Sequence, residues 1–365
     1  MTVGAWPLNV PVLTDGVVTL RAHTPADLDR MNEMANDPDM ARWTAVPVPN
    51  PRSATEKYAM ELVPHGWDSE TSRCWAIEYE GRYVGNVDIR GKGALADIGY
   101  ALHPDARGRS LAVDAARLAI DFAFVEAGKE VVVWRSHVGH VASLRVAHTL
   151  GFRLHGTQPD ALLERGKVLD AWTGSLRFGD APVPRTPWLA STLTTERLTL
   201  RPLVTADVPR IVEACADPST GHFLNLPSPY READALWYVH DSWWQAAVGH
   251  HETWAIADGD DRLLGTIRLL ALDDPAGGLG ELGYWTHPDA RGKGVMTEAC
   301  RAVVEHAFDP DGLDRRRLSL VAAEGNTASR RIADALGFTQ YGTEHGTARL
   351  ADGTLTDHHL YERLR

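Results

Sequence analysis

The hydrophobic pattern predicts the same succession of elements twice along this 365-residue chain. Each copy opens with a short alternating strand, at 17–21 and at 198–201, and continues into a helix that starts at TPADL or TADVP. Two alternating segments joined by a Gly- or Asp-rich turn then predict a hairpin. A strand that ends before a proline, an amphipathic helix, a β-branched strand, a short helix and a final strand pair complete each copy. Because the central strand–helix–strand segment requires a parallel neighbour and a right-handed crossover, we predict two α/β domains, each a mixed, mostly antiparallel sheet flanked by helices.

Identity between the copies indicates that one domain occurs twice. The hexapeptide HPDARG stands at 103–108 and again at 287–292. It lies within longer matches that keep the same order and pair 19–31 with 199–211, 98–124 with 282–308, and 150–152 with 336–338. The offset drifts slowly from 180 to 186, as small loop insertions would make it. We therefore predict domains at 1–178 and 192–365, joined by a proline-rich linker at 179–191.

Composition narrows the class of protein. The chain is 44% hydrophobic and 24% charged, as globular proteins are, and no apolar run is long enough to span a membrane. The N-terminus lacks a basic start and is interrupted by prolines, which argues against a signal peptide. Cys74, Cys215 and Cys300 are too dispersed for a structural zinc site and favour a reducing compartment. The sequence therefore predicts a cytoplasmic protein with no membrane partner and no metal site.

Charge adds one further restriction. A net charge of −12 argues against a nucleic-acid partner, because such binding needs a basic surface. Residues 1–186 hold 20 basic and 23 acidic residues (net −3), whereas residues 187–365 hold 17 and 26 (net −9). The acidic second half either attracts a cationic substrate or is an ordinary solvated surface.

The segment that follows HPD in each copy is the candidate for chemistry. A strand ends before the proline, and an Arg-Gly-x-(Gly/Ser) loop leads directly into a helix. Such a turn presents free backbone N–H groups at the positive end of the helix dipole, where an anion such as phosphate binds. A short glycine-rich turn can also serve only as a cap, but this one recurs in register in both copies.

This loop resembles the acyl-coenzyme A signature of the GNAT N-acetyltransferases, (Gln/Arg)-x-x-Gly-x-(Gly/Ala), which holds the coenzyme pyrophosphate. The resemblance spans nearly all of each copy and includes RLTLRPL, ELGYW-HP-RGKG, Asn-x-x-Ser and LGF, a combination similar to the subgroup that acetylates ribosomal-protein N-termini and its small-molecule relatives. It implies two tandem GNAT-like domains and acetyl-CoA, or another acyl-CoA, as the cofactor. The coenzyme-binding residues that it implies are Arg291, Gly292, Lys293, Gly294, Val295, Met296 and Asn326 in the second copy, and Arg107, Gly108, Arg109, Ser110, Leu111 and Ala112 in the first.

The two copies match this signature unequally. The first has Ser110 where the motif has glycine and His140 where the second copy has Asn326. We expect the second copy to bind coenzyme. The first copy either binds it as well or is a structural partner with an eroded loop.

The resemblance implies direct transfer of the acyl group from the thioester to an amine. The candidate base is Glu281, with Asp97 at the equivalent place; a surface carboxylate at a strand end would look the same. Family members often use a tyrosine as the general acid, but here Ala333 and Ala147 occupy its position. The remaining hydroxyls that could lie near the sulfur are those of Ser329 in the second copy and Ser143 in the first. Either serine could instead be a helix-capping residue.

Acceptor contacts are predicted at three positions. Trp43 and Phe223 each follow an Asp-Pro turn and are candidate pocket walls, although such aromatics are also common in cores. Asp357, in the C-terminal hairpin, either binds a cationic acceptor or is a turn carboxylate. The acceptor class implied is a primary amine of a protein N-terminus or of a small molecule.

The duplication itself permits several functions. An N-acyltransferase is the leading hypothesis; a non-catalytic acyl-CoA sensor or scaffold, and an enzyme with one active and one structural half, are the alternatives. Because related single-domain enzymes pair as twofold dimers, we predict that the copies form an intramolecular pseudo-dimer with pseudo-twofold symmetry.

Overall fold

A computed structural model describes residues 10–224, 226–274 and 277–365. The chain separates into two compact units, Met1–Arg185 and Thr186–Arg365. This division falls within the predicted linker at 179–191. The pseudo-twofold arrangement of the two units stays a prediction.

The N-terminal unit is built on one sheet of eight strands. They are β1 (Leu13–Thr14), β2 (Thr19–Arg21), β3 (Ser72–Tyr79), β4 (Arg82–Arg90), β5 (Leu95–Leu102), β6 (Val131–His137), β7 (Arg153–Glu164) and β8 (Lys167–Arg177). Its helices are α1 (Leu28–Ala35), α2 (Pro38–Trp43), α3 (Arg52–Lys57), α4 (Val63–Asp68), α5 (Leu111–Val125) and α6 (Val141–Thr149). The strand order is β1-β2-β3-β4-β5-β6-β8-β7.

The C-terminal unit repeats this plan. Its strands are β9 (Leu193–Thr194), β10 (Thr199–Arg201), β11 (Glu252–Ala257), β12 (Leu263–Leu270), β13 (Leu279–Thr286), β14 (Arg317–Ala323), β15 (Thr339–Arg349) and β16 (Leu355–Leu364). Its helices are α7 (Val208–Ala216), α8 (Pro218–Gly221), α9 (Glu232–Val248), α10 (Val295–Phe308) and α11 (Thr327–Ala335). The strand order, from β9 to β15, is equivalent to that of the first sheet.

One strand pair in each sheet is parallel, and the two central strands that form it are paired over only a few residues. β5 pairs with β6 only from Leu95 to Asp97, and β13 pairs with β14 only from Leu279 to Leu282. Beyond these residues the two strands are no longer paired, although β5 runs on to Leu102 and β13 to Thr286. The central strands therefore part directly after Asp97 in one sheet and one residue after Glu281 in the other, which leaves a cleft between them.

Helices cover both faces of each sheet, because successive strand residues point to opposite sides. In β11 every residue is buried: Trp254 and Ile256 belong to the core beneath α10, whereas Ala255 belongs to the core beneath α7 and α9. The predicted fold class, two tandem α/β domains with mixed, mostly antiparallel sheets, is confirmed.

The units differ in the helix that precedes the β3 or β11 strand. In the C-terminal unit α9 is continuous, but in the N-terminal unit a π-helical turn at Tyr58–Leu62 separates α3 from α4. Pro64 lies in the first turn of α4 and cannot donate a backbone hydrogen bond, which accounts for the interruption.

Three absences hold for the part of the chain that the structure describes. None of its helices is long and apolar enough to cross a membrane. No group of three or more His, Cys, Asp or Glu side chains in it could hold a metal ion. Its three cysteines are buried and unpaired.

Candidate functional site

The repeated hexapeptide is a structural anchor that sets the start of the loop. In the C-terminal unit the His287 ring is 1% exposed, and its Nδ1 lies 2.8 Å from Asp289 Oδ1. The Asp289 carboxylate also accepts hydrogen bonds from Arg210 of α7 and from Arg262, and the Arg210 guanidinium lowers the pKa of Asp289 to about 2. Pro288 begins a single 3₁₀ turn that ends at a buried alanine.

The arginine of the hexapeptide is also tied to the protein. Arg291 donates to Asp217 Oδ1 at 3.0 Å and to the hydroxyls of Ser219 and Thr220. In the N-terminal unit Arg107 donates to Asp37 and Asp39, both at 2.7 Å. These carboxylates belong to the Asp-Pro turns that cap α8 and α2. The arginine side chains therefore fix the loop against the Asp-Pro turn, which the sequence pattern did not indicate.

The loop in the C-terminal unit is open and its amides are available. Residues 291–294 are exposed, whereas the side chains of Val295 and Met296 are buried and anchor the first turn of α10. Within the described residues, the N–H groups of Gly292, Lys293 and Gly294 have no acceptor. The first N–H groups of α10 also lack partners inside the helix. A series of unpaired donors thus faces solvent at the positive end of a 14-residue helix.

Both glycines of this loop have left-handed backbone conformations, with φ of 72° at Gly292 and 75° at Gly294. A Cβ built on Gly292 would meet no atom within 4 Å, and one on Gly294 would meet only an Arg197 nitrogen at 3.8 Å. Side chains here would project into the open space before the amides. The absence of side chains allows an anionic group to approach the backbone.

The N-terminal loop has the same backbone path, but one of its residues adopts an unfavourable conformation. Ser110 occupies the position of Gly294 and has φ 61°, a conformation that costs a residue with a Cβ about 1–2 kcal/mol. Gly108 retains the left-handed turn, and Leu111 is buried at the start of α5, followed by the partly buried Ala112. Arg109 is exposed, as Lys293 is in the other unit.

Glu281 lies in surroundings compatible with the general base that the sequence predicts. It is half-buried on β13, at the point where β13 and β14 part, and its cross-strand neighbour on β12 is Leu270. Burial raises the pKa of the Glu281 carboxyl, and the charge of His358 offsets this only in part. In the described portion of the chain no hydrogen bond or ion pair engages this carboxylate.

Asp97 occupies the equivalent position but is ion-paired. Arg135 of β6 donates to Asp97 Oδ1 through Nε at 3.0 Å and also through Nη2. Its cross-strand neighbour on β4 is Arg90. The Asp97 carboxylate is therefore held in an ion pair with Arg135, whereas the Arg90 guanidinium is paired with Asp88.

The predicted serines are each hydrogen-bonded to a tyrosine. Ser329 Oγ donates to the Tyr284 hydroxyl at 3.0 Å, and Ser143 Oγ lies 3.0 Å from the Tyr100 hydroxyl. Burial raises the pKa of both tyrosines, so their hydroxyls stay protonated at neutral pH. Sequence reasoning missed this pair. The available signal was the Gly-Tyr dipeptide that both copies carry three residues before His-Pro.

The helix that bears the serine begins differently in the two units. Asn326 Oδ1 accepts the Ser329 N–H at 3.1 Å and caps α11. His140 caps α6 without a side-chain bond and instead stacks on Trp43, with ring centroids 4.5 Å apart and planes 3° from parallel. Burial, helped by the nearby His137, lowers the pKa of His140 to about 4, so its ring is neutral.

A cavity of about 800 Å³ in the N-terminal unit brings several predicted residues together. Trp43, Asp97, His140 and Ser143 all line it, together with the missed Tyr100. Trp43 is therefore a wall of this cavity and not a core residue. The half with the less well matched loop thus has a substantial cavity at the opening between β5 and β6.

The other two residues predicted to contact the acceptor, Phe223 and Asp357, do not line this cavity. Phe223 is partly buried and contacts the neighbouring His222 ring edge-on at 4.6 Å. The Asp357 carboxylate accepts a hydrogen bond from the Gly346 N–H at 2.9 Å and lies 2.8 Å from His345 Nδ1. These contacts, first of all the Gly346 hydrogen bond, lower the pKa of Asp357. Asp357 lies on β16 and not in a turn, and these contacts favour a structural carboxylate that stabilises the bulge in β15.

Comparison with known proteins supports the family that the sequence predicts. The model described as "Acetyltransferase (GNAT) domain" matches residues 18–153 and again 197–339. "Putative ribosomal N-acetyltransferase YdaF" of Bacillus subtilis (strain 168) is 37% identical over 83 residues, which cover 23% of this chain and 44% of that protein. "Probable N-acetyltransferase YjcK" of the same organism is 33% identical over 101 residues, covering 28% of this chain and 54% of that protein.

The aligned segments thus span about half the length of these two relatives. Among solved structures, "Crystal structure of Probable acetyltransferase" is 28% identical and covers 48% of this chain and 97% of that chain, with a TM-score of 0.44.

Proposed function

This chain belongs to the GNAT acetyltransferase family, and on that premise we propose that it is an acetyl-CoA-dependent N-acetyltransferase whose C-terminal unit performs the reaction. The acceptor that we propose is a primary amine, at a protein N-terminus or on a small molecule. The open amides of Gly292, Lys293 and Gly294 in front of α10 are the observation that carries this proposal.

The residues present fit the coenzyme. Unpaired amides and the exposed Lys293 side chain suit a diphosphate, and the two left-handed glycines leave the approach clear. Arg291 holds the loop in place through Asp217 and is a positioning residue in this proposal. When bound, the coenzyme supplies an acetyl group activated as a thioester.

Glu281 then removes the proton that the acceptor ammonium must lose before its nitrogen attacks the thioester carbonyl. Its raised pKa brings the carboxylate closer to the pH at which an efficient base works. The bond from the carbonyl carbon to sulfur breaks as the bond to nitrogen forms, and the thiolate takes up a proton. Because Ser329 donates to the Tyr284 oxygen, the Tyr284 O–H is left to donate to the departing sulfur.

A second candidate concerns the N-terminal unit. Ser110 at the glycine position and the ion pair between Asp97 and Arg135 favour a half that binds a ligand in its cavity without catalysing transfer.

The name of one relative includes the word ribosomal, which supports a protein N-terminus as one acceptor class.

Calorimetric titration with coenzyme A and thiol release from acetyl-CoA against a panel of amines test these proposals together. We expect tight coenzyme binding by the C-terminal unit, and turnover that is lost when Glu281 is replaced by Gln. Tight binding without turnover on any amine would instead support an acyl-CoA sensor.

A further inference from the structure

The two units carry opposite charges at one equivalent position beside the candidate base. Asp88 on β4 lies opposite Gly99, and Arg268 on β12 lies opposite Gly283. Each glycine is two residues beyond the candidate base of its strand. The charged side chain is therefore a diagonal neighbour of that base on the same sheet face, about 7–8 Å away across the strand pair.

This position faces the cleft. In the N-terminal unit Asp88 lines the 800 Å³ cavity together with Tyr58, which follows α3. In the C-terminal unit the Arg268 guanidinium packs 4.8 Å from the ring of Tyr238, which stands on α9 at the place of Tyr58. The shared register and the shared tyrosine put Arg268 on the same side of its sheet.

The Arg268 side chain is largely buried and incompletely paired. It is 20% exposed, and its Nη2 lies 3.4 Å from Asp241 Oδ2, which is a long ion pair. Its Nε is buried and, within the described chain, has no hydrogen-bond acceptor. A buried donor left without a partner costs about 1–3 kcal/mol, so such a group calls for a ligand or water to complete it.

Space for a ligand group is present beside it. A Cβ built on Gly283 would have the Leu270 side chain at 3.8 Å as its nearest neighbour. At Gly99 the same Cβ would meet the Asp88 carboxylate at 2.5 Å and the Arg90 guanidinium at 2.9 Å. The space is filled by an ion pair in the N-terminal unit and is open in the C-terminal unit.

We infer that Arg268 binds a carboxylate on the acceptor, so that the C-terminal unit prefers amines that also carry a carboxylate a few bonds away. This inference rests on the proposed function, since it names the acceptor class of the same site. A guanidinium binds a planar carboxylate through two parallel hydrogen bonds, and Arg268 has unused donors for this. Because residues 187–365 carry a net charge of −9, the preference arises from contact and not from long-range attraction.

The test uses the full chain and short peptide amines matched in pairs, with aspartate or asparagine at the first, second or third residue. Binding in the presence of coenzyme A is measured by calorimetry, and turnover by thiol release from acetyl-CoA. For one aspartate peptide we expect affinity about 10- to 100-fold above its asparagine partner, and loss of that difference in Arg268→Gln. Arg268→Lys should retain part of the preference, and Arg268→Asp should reverse it toward amines with a second positive charge.

Arg317→Gln is the matched control, because Arg317 is also ion-paired, to Glu362 at 2.7 Å, and stacked on a tyrosine of the same unit. Arg317→Gln should leave the aspartate preference unchanged, and circular dichroism should show that Arg268→Gln and Arg317→Gln are both folded. Turnover with equal use of aspartate and asparagine peptides would overturn the role of Arg268 and leave the proposed function standing. Aspartate-selective binding without turnover would support the role of Arg268 and overturn the proposed function. A chain that neither binds nor acetylates any of the paired peptides would refute both the role of Arg268 and the proposed function.

Discussion

Glu281 and Asp97 stand at the same register position in two units of the same fold, but their electrostatic surroundings are opposite. Glu281 faces Leu270 across the strand pair and has a raised pKa because it is buried. Asp97 faces Arg90 and is hydrogen-bonded to Arg135. The same strand geometry thus places a half-buried carboxylate with a raised pKa in one unit and an ion-paired carboxylate in the other.

The coenzyme loops differ in the same direction. The C-terminal loop has glycine at both left-handed positions, and the N-terminal loop holds Ser110 at the second. The cap of the following short helix is also altered, from Asn326 with a side-chain hydrogen bond to His140 stacked on Trp43. The two units therefore differ in the loop, at the candidate base and in the cap, while the HPDARG anchor is identical in both.

Replacing the candidate base should have the greatest effect on activity. We expect Glu281→Gln to lower kcat by about 10²- to 10⁴-fold, since a positioned base contributes that much. Asp97→Asn is the matched control and should change kcat less than about threefold, because Arg135 already engages that carboxylate. Steady-state rates of thiol release measure both, and equal losses in the two variants would contradict the assignment of the base.

The same variant tests the pH dependence. Since Glu281 acts only when deprotonated, kcat/KM should fall as the pH drops through its pKa, which burial raises above the usual value of a glutamate. A raised pKa means that the folded state holds this proton more tightly than the unfolded state, so its contribution to stability is present at low pH and is lost as the pH rises. Glu281→Gln should therefore have a higher Tm than the parent at pH 7, and the difference should shrink toward pH 4.

Making the C-terminal loop like the N-terminal one should weaken coenzyme binding. Gly294→Ser places a side chain in the open approach to the amides, and for that reason we expect coenzyme A affinity to fall about 5- to 30-fold by calorimetry. It also imposes a left-handed serine, which costs about 1–2 kcal/mol of stability. Gly353→Ser is the control, because that glycine also has a left-handed φ (84°) and open space around it but lies in the C-terminal hairpin turn. It should lose stability without losing affinity.

The tyrosine hydroxyl should have a smaller effect. Tyr284→Phe removes the group that we propose donates to the departing sulfur, and we expect kcat to fall about tenfold while KM for acetyl-CoA changes little. Tyr100→Phe, with the same hydrogen bond to its serine in the other unit, should change kcat less than about twofold. An acyl donor with a more acidic thiol should restore the rate of Tyr284→Phe, and failure of this rescue would rule out an acid role.

The smallest expected change is one of stability. Ser110→Gly relieves the left-handed serine and should stabilise the N-terminal unit by about 1 kcal/mol. Thermal unfolding of the full chain should show a higher Tm for the transition of that unit. If coenzyme A also gains a second binding site in this variant, the serine alone separates the two loops in function; if it does not, the altered base and cap contribute as well.

The fold and the anchor positions followed from local sequence. The order of strands and helices could be predicted because alternation and helical periodicity are properties of short segments, and the repeat allowed each copy to check the other. The loop before α10 was predictable for the same reason, since a proline, two glycines and a helix start specify a backbone path within eight residues.

The state of each functional side chain depended on residues distant in sequence. The ion pair between Arg135 and Asp97 and the diagonal position of Arg268 beside Glu281 depend on strand register. The contact of Tyr284 with Ser329 depends on where α11 lies against the sheet, and it joins residues 45 positions apart. Asp357 likewise could be recognised as a structural carboxylate on β16 only once the bulge in β15 placed the Gly346 amide against it. Local pattern specifies which backbone an element adopts, but a carboxylate becomes a base or half of an ion pair only through the neighbours that tertiary packing brings within a few ångströms, where burial and charge decide its pKa.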